Sequence, residues 1–314
     1  MTYLLPKRRQ TIPGPETGDL NNRSEKKDRA NSRDSGNLKN GGSLKNFLDR
    51  LYRETNKPEF IPLDPVQFPH RYKNKKDIEV AAFLAATIAW GRRDLILKSC
   101  EKMFALMGKS PYDFVMKGDY PKLQAVKAGS GGRSEGTGNC RSNSRGSSGA
   151  RGFCIHRTFF QDDFLYLCRG LQNCYVKYSS LENLFASVPD VWEGISLFRE
   201  TITAGNRLCY SKHISNPEAG SACKRLHFAL RWLVRQEGPV DLGIWKKISP
   251  ASLFIPLDLH VGRSARELGL LETSRQANDK KAVISLTEKL RVFCKEDPVK
   301  YDFALFGYSI ANSK

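Results

Sequence analysis

The chain has 314 residues, 40% of them apolar, and a formal net charge of +18 with a pI near 9.6. Such an apolar content supplies a real core and excludes wholesale disorder, and the length holds one large domain or two smaller ones. The charge favours phosphate-rich partners, because each neutralised phosphate releases condensed counterions; a merely soluble basic surface is the competing explanation.

Residues 1–43 are polar and charged, with nine Lys/Arg against five Asp/Glu. They bury too little apolar area to offset the entropy of ordering, so a disordered basic tail is expected, with most of the charge surplus lying beyond it. The serine at 43 and the apolar spacing that follows predict a helix over 43–52. Proline-rich coil then runs through Phe68-Pro-His-Arg71. An alanine-rich stretch over 77–90, apolar nearly all round, reads as a central helix ended by Gly91. An amphipathic helix over 92–107 follows, and Ser110-Pro111 opens a third with proline in its first turn.

From 128 to 152, 14 of 25 residues are Gly or Ser and four are Arg, which reads as a flexible insertion in the domain 44–314. Further helices are expected over 162–178, 180–185, 188–203, 221–236, 258–270, 279–293 and 297–310. No stretch shows sustained period-two alternation, so the fold class is all-α, a bundle of about ten helices without internal repeats.

Eight cysteines, Cys100, Cys140, Cys154, Cys168, Cys174, Cys209, Cys223 and Cys294, form no CxxC pair, so neither a zinc ribbon nor a thioredoxin-type site is expected. The five histidines and the scattered acids give no metal-ligand spacing, and no cofactor is expected. No apolar run approaches 18 residues, and the opening Met-Thr-Tyr-Leu-Leu-Pro is too short for a signal peptide. A cytoplasmic monomer is the resulting expectation.

Two segments carry the candidate chemistry. In the run from Lys224 to Arg235, Leu226, Leu230 and Leu233 share one face, while Lys224, His227, Arg231 and Arg235 share the other at steps of three or four. A stripe of like charge gains from a bound anion, although an ordinary solvated face has the same pattern. Lys224 falls in the first helical turn, where the positive end of the dipole favours the neutral amine that Schiff-base chemistry requires. The second segment is Ile255-Pro-Leu-Asp-Leu-His-Val-Gly-Arg-Ser-Ala-Arg-Glu-Leu-Gly-Leu270. Asp258 stands at a helix N-cap position, either as a cap alone or as a cap that also faces a developing cation. His260, Arg263 and Arg266 follow on the same helix.

The stretch 256–270 resembles the segment bearing the catalytic aspartate in helix-hairpin-helix DNA glycosylases. Ala85-Ala-Thr-Ile-Ala-Trp-Gly-Arg-Arg93 is similar to that family's first core helix and its DNA-facing turn, and Phe303-Ala-Leu-Phe-Gly307 to its last core helix. The resemblance spans 44–314 apart from the insertion. It implies a glycosylase-like helical fold, damaged duplex DNA as partner, Asp258 as catalytic carboxylate and Lys224 as nucleophile. The Leu-Pro-Gly-Val-Gly hairpin expected before the lysine is missing. The 34-residue interval from Lys224 to Asp258 is long, as it is in the archaeal 8-oxoguanine glycosylases. No cysteine follows Cys294, so no iron–sulfur cluster is expected. The Asp297-Pro-Val-Lys-Tyr-Asp-Phe-Ala-Leu-Phe-Gly307 stretch also looks like that of an uncharacterised bacterial family.

The expected function is base excision with associated AP-lyase activity. Arg92, Arg93, Arg231, Arg235, His260, Arg263 and Arg266 are the expected nucleic-acid contacts, and Trp90, His70, His156 and Phe159 the expected base pocket. Packing of those aromatic segments on the core is the alternative. The rivals for the whole chain are a non-catalytic nucleic-acid-binding module of the same fold and a helical protein-interaction scaffold.

Overall fold

The computed structural model describes residues 41–118, 152–205, 211–274 and 276–312. The expected tail up to residue 40 and nearly all of the expected insertion lie outside the described residues. Helix α1 (Gly41–Thr55) packs lengthwise on α11 (Tyr301–Ala311). Their closeness depends on Gly307, where a Cβ would come 2.3 Å from Thr55 Oγ1. Between α1 and α2 (Lys75–Thr87) the prolines produce three short 3-10 turns, Pro58–Leu63, Pro65–Gln67 and Pro69–Arg71, rather than coil. Proline fixes φ in the helical range while removing a donor, which suits the first residue of each turn.

Helix α2 is the buried centre, as its apolar circumference predicts, but it starts at an Asn74 cap and stops at Thr87, so Trp90 lies beyond its end. Its one carboxylate in mid-core, Glu79, accepts hydrogen bonds from Tyr175 Oη (2.9 Å), Trp245 Nε1 (2.8 Å) and Leu181 N (3.2 Å). Burial pushes the Glu79 carboxyl above the ordinary carboxylate range, and these donors oppose the shift. Helices α3 (Arg93–Met107) and α4 (Pro111–Lys117) follow, the latter capped by Ser110.

An antiparallel ribbon, β1 (Cys154–His156) with β2 (Phe159–Phe160), precedes α5 (Gln161–Tyr178). This ribbon is absent from the sequence reading because two or three residues show no periodicity; it leaves the all-α class intact. Helices α6 (Leu181–Ala186) and α7 (Val191–Thr203) pack with α5, and α8 (Lys224–Val234) packs on α2. The chain closes through α9 (Leu259–Glu267), α10 (Lys280–Phe293) and α11, with α9 against α11. No described helix is long and apolar enough to cross a membrane.

Candidate active site

Asp258 caps α9 as its sequence position implies: Oδ1 accepts the Val261 N–H at 2.8 Å. That leaves the second oxygen free to face outward, and Oδ2 lies 3.6 Å from Lys224 Nζ at the start of α8. The two side chains are 12% and 29% exposed, so the pair is sheltered without being sealed from water. Asn278 holds the loop behind it, donating from Nδ2 to the Asp258 carbonyl at 2.9 Å and accepting from Arg266 Nη2 at 2.9 Å. Gly262 permits this clamp, since a Cβ there would lie 2.6 Å from Asn278 Oδ1.

Lys224 and Asp258 form part of the walls of two cavities. The smaller, about 60 Å³, is lined mainly by Phe60, Phe228, Trp232, Phe303 and Phe306, with Asp64, Arg93 and Asp302 as polar neighbours. The wider, about 490 Å³, is bounded by Trp90, Ser221, Arg225 and Asp279. Phe228 follows Lys224, and Phe306 follows Asp302, by four residues, so each aromatic ring shares a helix face with a charged group. Lys224 Nζ is 5.5 Å from the Phe228 ring centre, and Arg93 Cζ is 5.4 Å from that of Phe306.

Asp302 is fully enclosed. Its Oδ2 accepts from Arg231 Nη1, whereas Oδ1 has no hydrogen-bond partner among the described residues. Burial pushes its carboxyl up to about 7; Arg231 and Lys224 oppose that shift, and the Asp258 and Asp241 carboxylates add to it. The Trp232 indole N–H is also without a partner among the described residues. This unpaired acceptor and unpaired donor sit on two residues of one cavity wall but are sealed from solvent, so a ligand reaches them only when that wall opens.

Several expected contacts lie elsewhere. Arg231 and Arg235 are not on a solvated stripe: they are 3% and 0% exposed. Arg231 pairs with Asp241 and Asp302, and Arg235 with Asp241 and Asp297, so protein carboxylates do the neutralising that was expected of phosphate. His227, on the same expected stripe, is 1% exposed and edge-on to Trp192 at 4.7 Å. In the expected base pocket, His156 and Phe159 are core residues. His156 bonds the Trp90 carbonyl (2.8 Å) and Ser99 Oγ (3.0 Å), and Phe159 packs on His213. His70 is exposed and ties to the Val240 carbonyl at 2.8 Å, away from both cavities.

Trp90 does reach the wider cavity. Arg92 is exposed and paired with Asp94, and Arg93 turns inward to Asp64 at 3.6 Å. Arg263 is exposed and Arg266 half-buried beside the pair, and His260 bonds Ser309 Oγ at 3.1 Å. The residues that sequence reasoning missed are Phe228, Phe306, Asp64, Asp302 and Arg225. An acid inside the apolar run 301–311 was the available signal for Asp302, since such a group demands a buried cation.

Among the described residues no cluster of His, Cys, Asp and Glu has the arrangement of a metal site. A family model described as "Protein of unknown function (DUF2400)" matches residues 64–130 and 136–311, and the chain belongs to that family. No curated protein and no solved structure gives a match.

Proposed function

We propose that this member of the family is a DNA base-excision glycosylase with AP-lyase activity, built on a helix-hairpin-helix-type helical core. The observation that carries the reading is the Lys224–Asp258 pair, 3.6 Å apart on the shared wall of an aromatic cavity and a wider opening. Damaged or mismatched bases are the substrate class, because extrusion from the stack costs least there. The smaller cavity is tight for a purine, so Phe228 or Phe306 turns aside to admit the base and then stacks on it.

In this mechanism Lys224 Nζ bonds to C1′ and passes a proton to Asp258. The C1′–N glycosidic bond breaks, its electron pair leaves with the base, and Asp302 supplies a proton or hydrogen bond to that base. Breaking C1′–O4′ then opens the sugar, with O4′ taking a proton, and gives an iminium. Loss of a C2′ proton expels the 3′ phosphate and cuts the strand. Asp258 stabilises the positive charge on the sugar until it takes the Lys224 proton, and it then returns that proton to O4′.

The test is incubation of the full-length protein with duplexes carrying single oxidised, deaminated or abasic residues, read by strand cleavage with and without alkali. Cleavage by the wild type, abolished in Lys224→Gln with duplex affinity retained, supports the reading. Salt-sensitive binding with no turnover on any substrate rejects it and leaves the non-catalytic binding module.

A further inference from the structure

Among the described residues Arg225 has no carboxylate within 4 Å, a lack it shares with Arg199, but of the two only Arg225 lines the 490 Å³ cavity. Arg71, Arg93, Arg231 and Arg235 each have a carboxylate within 4 Å. The Arg225 guanidinium instead donates from Nη1 to the Thr87 carbonyl at 2.7 Å, its one hydrogen bond among the described residues. It is half-buried, and its Cζ lies 5.0 Å from the centre of the Trp90 ring. Trp90 is itself fixed, stacked on His213 at 5.6 Å and held through its carbonyl by His156. A guanidinium has five N–H donors, and one used donor leaves most of the fork unspent.

Both Arg225 and Trp90 line the 490 Å³ cavity beside Lys224. The two carboxylates of that cavity are already engaged. Asp258 faces Lys224, and Asp279 caps α10 by accepting the Ala282 N–H at 3.0 Å. A partly desolvated cation without an anion is costly, and the cost is relieved when an anion enters. Planar bidentate donors match a phosphate best. We propose that Arg225, positioned by Trp90 and Thr87, is the phosphate site of this cavity and grips a nucleic-acid backbone phosphate next to the nucleotide that meets Lys224. The identity of the phosphate as a backbone phosphate rests on the glycosylase reading; the anion site does not.

The experiment has two arms, both on the full-length protein. In the first, duplex affinity is measured by anisotropy from 50 to 200 mM salt for wild type, Arg225→Gln and Arg225→Lys. Arg225→Gln is expected to bind about 10-fold more weakly, with the slope of log K against log salt smaller by about one. Arg225→Lys keeps the slope and loses a few-fold in affinity, and it serves if the Gln variant fails to fold. Unchanged affinity and slope in both variants overturns the assignment. In the second arm, inorganic phosphate is expected to raise the melting temperature of the wild type and not that of Arg225→Gln. If no DNA is bound but this difference persists, the glycosylase reading fails and the phosphate site stands. If phosphate stabilises neither protein, or both equally, the site itself is wrong.

Discussion

Arg235→Met separates a structural arginine from a DNA-binding one. Its guanidinium is fully enclosed, donates from Nε to Asp297 at 3.0 Å, pairs with Asp241 and reaches Tyr52 Oη at 3.1 Å. Burial opposes its charge, yet Asp241 and Asp297 hold its pKa above the ordinary arginine value. Methionine fills much of the volume but takes away one of the two cations on the buried Asp241, which keeps Arg231, and leaves Asp297 without its arginine. Removing one partner of a buried ion pair costs about 3–5 kcal/mol, or roughly 6–20 °C in Tm for a domain of this size, and the Arg231 that stays on Asp241 puts the loss at the low end. Adding Asp297→Asn removes the carboxylate left without Arg235 and recovers part of the loss. Thermal melts followed by circular dichroism give the answer, with Arg92→Ala, an exposed arginine paired only with Asp94, as the control expected to shift by about 1 kcal/mol or less. A Tm within about 2 °C of wild type, together with weakened duplex binding, would refute the buried-network account and restore the exposed stripe.

Three further outcomes follow from the same geometry. Burial depresses the His227 pKa to about 3 from an ordinary 6.5, so its contribution to stability is complete above pH 6.5 and lost progressively as pH falls towards 3. Urea melts at pH 7 and pH 4.5 should show His227→Phe losing less on acidification than wild type; equal losses count against a buried imidazole whose nitrogens have no hydrogen-bond partner among the described residues. If the Asp302 carboxyl acts as a donor, excision falls as pH rises through about 7, and Asp302→Asn, which keeps a donor, flattens that limb. A pH–rate profile identical in both proteins removes Asp302 from the proton inventory. Phe228→Ala and Phe306→Ala should each lower excision about 10-fold or more through lost stacking. Unchanged kcat/KM would place the base elsewhere.

The helical architecture was legible because amphipathic spacing and capping residues are local properties. Asp258 shows this best: the Pro-Leu-Asp sequence before an apolar-spaced helix identifies an N-cap, and the cap bond to Val261 is present. The environment of α8 was not legible. Spacing of three or four places Lys224, His227, Arg231 and Arg235 along one side, but what faces that side is decided by Asp297 and Asp302, 62 and 71 residues further on. A charged face meeting a distant acidic pair and one meeting water have the same periodicity. For two of the expected base-pocket residues the same holds: His156 and Phe159 are held in the core by contacts to Trp90 and His213, on segments far away in the chain, while Trp90 reaches the wider cavity. Asp302 and Phe306 lay within a quoted motif, yet only the packing of α11 against α1 and α9 turns that helix face towards Lys224.

The most direct test is borohydride reduction of the full-length protein on a duplex with a single abasic site, with the cross-linked peptide mapped by mass spectrometry. The account predicts a covalent adduct on Lys224, lost in Lys224→Gln and strongly reduced in Asp258→Asn. An adduct on another lysine, or none on abasic or damaged duplexes, would contradict the claim that this amine and this carboxylate act as one site.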